Sequence, residues 1–224
     1  MSMNDIILNN IIPEDDFLIK LNSLLLSGRN RNYFQKNKDD QSLIAASRKG
    51  YSKVVELLIS KGADINKINQ NGDTPLHIAL SNAQLEVANV LISKGADIKI
   101  SNKDGDTPLH IASENGHLQV TNVLISNGAS VNLINQDGNT PLHLASHNEH
   151  LDVVRLLLSK GANVNLINQD RNTPLHLASQ NGYLQVVELL LSKGASVNLI
   201  NQDGNTPLHL ASHNEHLDVV RLLL

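Results

Sequence analysis

Between residues 137 and 170 the apolar positions fall into two helical stretches divided by polar punctuation. Thr140 fits an N-cap, and Pro141 suits the first helical position because its missing N–H would have no intrahelical partner there. This predicts a short helix through about residue 147. Leu151, Val154, Leu157 and Leu158 then recur at helical spacing, predicting a second helix that buries one face. Gly161 ends it, since glycine takes the left-handed conformation after a helix without a Cβ penalty. The following ANVNLINQD is turn-rich and extended. The pattern repeats, because TPLH begins at Thr74, Thr107, Thr140, Thr173 and Thr206, at one constant interval. One unit earlier, Gln41, Ser42, Leu43 and Ile44 hold the same register without the letters.

Neither helix of a unit buries enough apolar surface alone, so the period predicts stacking, with stability set by nearest neighbours. TPLH followed by an alanine, at a 33-residue period, resembles the ankyrin repeat. The resemblance spans about residues 38–224. It implies an all-α repeat solenoid of stacked helix-turn-helix units with hairpin-like finger loops. The register divides the chain into a degenerate N-terminal capping segment, 1–37, five repeats at 38–70, 71–103, 104–136, 137–169 and 170–202, and an incomplete sixth at 203–224. Within the cap, FLIKLNSLLLSG falls where a second helix belongs and Pro13 breaks the matching first, which predicts a capping helix at roughly 14–27. The sixth repeat stops inside its second helix, leaving Leu and Val positions uncovered. Residues 131–158 and 197–224 are identical over 28 positions, a copy of two repeats at a 66-residue offset.

Composition narrows the functions. Aromatic residues make up only 2% of the chain and Trp is absent, which argues against a base-stacking nucleic-acid surface or an aromatic ligand pocket. Residues 1–70 carry ten basic and eight acidic side chains and residues 71–224 eight and fourteen, too mild a field to make DNA or an anionic membrane the main partner. Arg29, Arg31, Lys36 and Lys38, interleaved with Tyr33 and Phe34, are a weak basic cluster beside a capping reading. Without cysteine there is no disulfide, thiolate metal site or cysteine nucleophile. No apolar run approaches a membrane span and the N-terminus lacks a leader pattern, so a cytoplasmic, soluble monomer is expected, without membrane insertion.

His143, His147 and His150 lie close in sequence, as do His209, His213 and His216, but HNEH is not HExxH and no carboxylate cluster accompanies it. The resemblance implies a hydrogen-bonding structural role for His77, His110, His143, His176 and His209. No nucleophile elbow, phosphate loop or convergent acid, base and nucleophile set occurs, so no catalytic residue, cofactor, metal or small-molecule substrate is expected.

Binding remains. In ankyrin proteins partners are held by the finger tips and the exposed side of the first helix, the concave face. By register that surface comprises Ser101 and Lys103, then Asp104, Asp106, Glu114 and Asn115. It continues through Gln136, Asp137, Asn139, His147 and Asn148, and then Gln169, Asp170, Arg171, Asn172, Gln180 and Asn181. The strip is amide-rich and mildly acidic, with a thin row of isoleucines at Ile68, Ile134, Ile167 and Ile200. Arg171 stands where Gly138 and Gly204 stand in neighbouring fingers, a left-handed position unfavourable to a side chain. The expected function is a non-catalytic scaffold for an unidentified protein partner. The alternative is an ankyrin fragment of a larger enzyme or secreted effector.

Overall fold

Helices of seven to nine residues barely hold in water alone, so their caps and neighbours must carry them. The computed structural model describes residues 13–16, 18–19 and 36–224, and the chain divides into two compact units, Met1–Lys103 and Asp104–Leu224. Among the described residues there are helices and turns but no strand.

In the first unit, α1 (Lys36–Lys49) packs on α2 (Ser52–Ser60) and α3 (Pro75–Ser81), and α4 (Leu85–Ser93) packs on α2 and α3. The second unit pairs α5 (Pro108–Glu114) with α6 (Leu118–Ser126) and α7 (Pro141–His147) with α8 (Leu151–Ser159). It continues with α9 (Pro174–Gln180) and α10 (Leu184–Ser192), then α11 (Pro207–His213) and α12 (Leu217–Leu223). First helices stack on first helices and second on second, so each unit has the construction of an all-α repeat solenoid.

The Thr-Pro helices begin alike. At α7 the Thr140 hydroxyl accepts from the His143 backbone N–H at 3.4 Å, while His143 Nδ1 accepts from the Thr140 N–H at 3.2 Å. Histidine thus takes the place of glutamate in a capping box. The second helices α2, α4, α6, α8 and α10 end in a Schellman arrangement, as after α8, where Gly161 at φ 87° donates to Leu158 O and Ala162 donates to Leu157 O. In the second unit the core is aliphatic, with Leu142, Leu157, Leu175 and Leu190 fully buried between the layers.

The divergent first repeat lacks the Thr-Pro stop, and α1 accordingly extends back to Lys36, ahead of the TPLH-equivalent Gln41. Of the expected capping helix, residues 14–16 and 18–19 are helical, and the rest lies outside the described residues, as do Arg29, Arg31, Tyr33 and Phe34. Glu14 caps the neighbouring helix, since its Oε1 accepts from the N–H groups of Lys53 at 2.7 Å and Val54 at 3.2 Å. These are two donors at the start of α2 that the helix itself leaves open, and Asp15 pairs with Lys53 Nζ at 2.8 Å.

Candidate functional site

The fingers are built by asparagines outside the expected binding set. In the second unit Asn135 closes its hairpin with backbone bonds to Asn139 and Gly138, each 3.0 Å. Its Oδ1 accepts from the Asp137 and Asn139 N–H groups at 3.1 and 2.9 Å. Its amide then donates to Asp106 Oδ1 of the preceding finger at 2.8 Å. Asn168 donates likewise to Asn139 Oδ1 at 2.9 Å, and Asn201 to Asn172 Oδ1 at 3.1 Å. In the first unit Asn102 donates to Asp73 at 3.0 Å. Asp106, Asn139 and Asn172 therefore serve as half-buried struts between fingers. The signal was present in sequence as an asparagine once per repeat, two positions before an Asp or Asn. Such a residue shapes a turn through its own side chain.

A backbone ladder joins the tips. Gln136 N–H donates to Asp104 O at 2.8 Å, Gln169 to Asp137 O at 2.9 Å and Gln202 to Asp170 O at 2.8 Å, with the Gln169 amide also bonded to Gln136 O. In the first unit Lys103 donates to Asn71 O at 2.9 Å. The side chains of Asp104, Gln136, Asp137, Gln169 and Asp170 are exposed, as are Ser101 and Lys103 in the first unit. Arg171 adopts φ 61° where Gly138 has φ 76°, and its N–H makes the same turn bond, 2.9 Å to Asn168 O. The left-handed turn survives with a side chain on it, and that side chain is exposed.

The first-helix ends divide in the same way. Asn115, Asn148 and Asn181 turn their amides back onto the carbonyls of Ile111, Leu144 and Leu177 at 2.9 to 3.1 Å, filling acceptors that a helix end leaves open. Glu114, His147 and Gln180 beside them are exposed, as are Asn115 and Asn148, so these two asparagines differ from their neighbours by their hydrogen bonds and not by burial. Partial desolvation lifts the Glu114 carboxyl above its ordinary range, Asp106 adds to this, and His147 opposes it. Asn181 also reaches His147 Nδ1 at 3.2 Å, linking two repeats.

Two histidines from the second-helix entry lie across the preceding turn. His150 Nε2 donates to Glu114 O at 2.8 Å and His216 Nε2 to Gln180 O at 3.0 Å. A Cβ at Gly116 or Gly182 would lie 2.5 or 2.4 Å from these rings, so glycine there makes room for the histidine of the next repeat. The TPLH histidines are structural as well. His110, His143 and His176 are fully buried. Each Nδ1 accepts from its Thr N–H, and each Nε2 donates to the next finger, at Asn139 O, Asn172 O and Asn205 O. This geometry requires a neutral ring. Burial lowers the His143 imidazole to about 4 and that of His176 in the same direction, against the carbonyl bonds that pull upward. Asn66 and Asn132 bridge repeats, their Oδ1 atoms accepting from Asp97 N–H and Asn163 N–H at 2.8 Å.

Among the described residues no group of three His, Asp or Glu side chains is placed to hold a metal ion, and no helix is long and apolar enough to cross a membrane. The family model described as Ankyrin repeats (3 copies) matches residues 17–102, 95–168 and 160–224. A 58-residue stretch is 36% identical to the ARF GTPase-activating protein Git of Drosophila melanogaster, covering 26% of this chain and 8% of that protein. The chain thus spans under a tenth of the length of this curated relative.

Proposed function

The chain belongs to the ankyrin-repeat family, whose repeats are generally non-catalytic protein-interaction modules, and from that premise we propose that it is a scaffold holding a partner protein on its finger and first-helix face. The observation that supports this reading most is the division of labour along the strip. Struts and caps engage the side chains of Asp106, Asn115, Asn139, Asn148, Asn172 and Asn181 in hydrogen bonds within the chain. Gln136, Asp137, Gln169, Asp170 and Arg171 remain exposed on fingers whose backbone is already hydrogen-bonded. A surface fixed before contact loses little conformational entropy on binding.

The test is capture from source-cell lysate by the intact chain and by a Glu114→Ala, Arg171→Ala variant, read by mass spectrometry. A protein held by the intact chain and reduced at least tenfold with the variant, both melting alike, supports the reading. Equal capture overturns it.

A second reading draws on the relative. Git is an ARF GTPase-activating protein of which the matching stretch is only 8%, so these repeats fit a binding segment of a longer protein whose active domain lies elsewhere. An open reading frame in the source genome that both starts at the Met1 codon and ends at the Leu224 codon overturns this alternative.

A further inference from the structure

The fingers of the second unit expose apolar as well as polar groups. Ile134 is 60% exposed, Ile167 47% and Ile200 49%, with Leu133 and Leu199 beside two of them at 45% and 36%. Single exposed aliphatic side chains are ordinary on a soluble protein. These recur once per repeat, at the same place in each finger, and the fingers are pinned by Asn135, Asn168 and Asn201 and by the tip ladder. Local movement therefore cannot hide them.

The charge around the row has one dominant sign. Asp104, Glu114, Asp137, Asp170 and Asp203 are exposed on these fingers and first-helix ends, and Arg171 is the lone cation among the strip positions of this unit. A ligand that covers the isoleucines must bring positive charge to the same fingers.

The pitch restricts its conformation. Stacked helices lie about 8–10 Å apart, and the fingers they carry advance by the same step. An α-helix returns to one face every ~5.4 Å, or ~10.8 Å over two turns, and a strand every ~6.7 Å, or ~13.4 Å over two repeats, so each falls short of the step or overshoots it. A polyproline II segment rises ~3.1 Å per residue with three residues per turn, returning to one face every ~9.3 Å. It has no internal hydrogen bonds, and the exposed Gln136 and Gln202 amides lie on the same fingers to meet its backbone.

We propose that the finger face of the second unit takes an extended, basic segment of a partner protein in the polyproline II conformation, seating an apolar side chain at every third position on Ile134, Ile167 and Ile200. This rests on the binding reading above and narrows the partner to one chemistry.

The experiment is fluorescence anisotropy on the full chain with four labelled peptides. One carries four Leu-Pro-Arg triplets, the second Ser-Pro-Arg triplets, the third Leu-Pro-Glu triplets, and the fourth the composition of the first with its leucine spacing scrambled. The Leu-Pro-Arg peptide is expected to bind at least tenfold tighter than each of the others. Ile134→Ser, Ile167→Ser, Ile200→Ser together should remove at least tenfold of that affinity without shifting the melting temperature. Ile167→Ser alone should remove threefold or more, which keeps the result readable if the triple variant unfolds. Equal binding of the scrambled peptide, equal binding by the folded isoleucine variants, or no binding of the first peptide overturns the proposal. If a captured protein is still lost on changing Glu114 and Arg171 while the peptides fail, the binding reading stands and this partner chemistry falls. If the peptide binds and no protein is captured through those residues, the chemistry stands and the broader assignment of the face fails.

Discussion

Residues 131–158 and 197–224 have the same sequence within one unit, and within residues 104–224 the first copy has a further repeat stacked after it while the second does not. Their local structure coincides. The Thr-His capping bonds measure 3.2 Å at Thr140 and 3.1 Å at Thr206, the finger glycines have φ 76° and 77°, and Glu149 and Glu215 are left-handed at 62° and 59°. Their environments do not coincide. His143 is fully buried with its Nε2 on the next finger, whereas His209 is exposed. Leu142 is fully buried and Leu208 half-buried, and Leu217 is 64% exposed where Leu151 is half-buried. Caps and turns belong to the repeat itself, while burial and the second bond of each histidine come from the repeat that follows.

Substitutions made in pairs across the two copies test this division. His143→Ala removes a cap, an inter-finger bond and a buried ring, and should destabilise the protein by about 3 kcal/mol. His209→Ala loses the cap alone, about 1 kcal/mol. Equal urea midpoints for the two variants would erase the distinction.

Acid should act through the buried copy. With the folded His143 imidazole at about 4 and an unfolded value near 6.5, the unfolded chain binds the extra proton between them. The stability contributed by this neutral ring is present above ~pH 6.5 and is lost as pH falls toward 4, about 2 kcal/mol of it between pH 7 and 5. His176, shifted the same way, adds to the slope. Urea titrations at these pH values should show a shallower loss for His143→Gln than for the parent chain.

Gly138→Ala should be the next largest. Its φ is 76° and a Cβ would lie 2.8 Å from Gln169 N, so roughly 2 kcal/mol is expected. Gly204 has nearly the same φ with nothing within 4 Å, leaving about 1 kcal/mol for the left-handed backbone alone. Thermal melts of the two alanine variants should separate accordingly.

The smallest effect has the opposite sign. Ser146 Oγ is buried without a hydrogen-bond partner, while Ser212 is exposed. Ser146→Ala should stabilise by about 1 kcal/mol and Ser212→Ala change stability by less than about 0.5 kcal/mol. A destabilised Ser146→Ala protein would mean that the hydroxyl finds an acceptor in solution.

Much of the fold was legible from sequence because its signals are short-range. Thr140 and Pro141 announce a helix start within three residues, and Gly161 an end within five. The strip of candidate residues was legible as a set of positions but not as a set of roles. Asn139 and Asp137 look equally polar in sequence, yet one accepts a strut bond and the other is exposed. The His150 and Gly116 pairing escaped because its partners lie in successive repeats, and each has an adequate local explanation alone.

By itself the sequence determined the period, the helix ends, the left-handed turns and the chance for histidine to close each cap, because these depend on φ, ψ and hydrogen bonds within a few residues. The tertiary structure alone decided which amides became struts, which histidines were held neutral and which isoleucines stayed exposed. Those outcomes require a second repeat at hydrogen-bonding distance, and two copies of one sequence differ here because among the described residues one of them has it and the other does not.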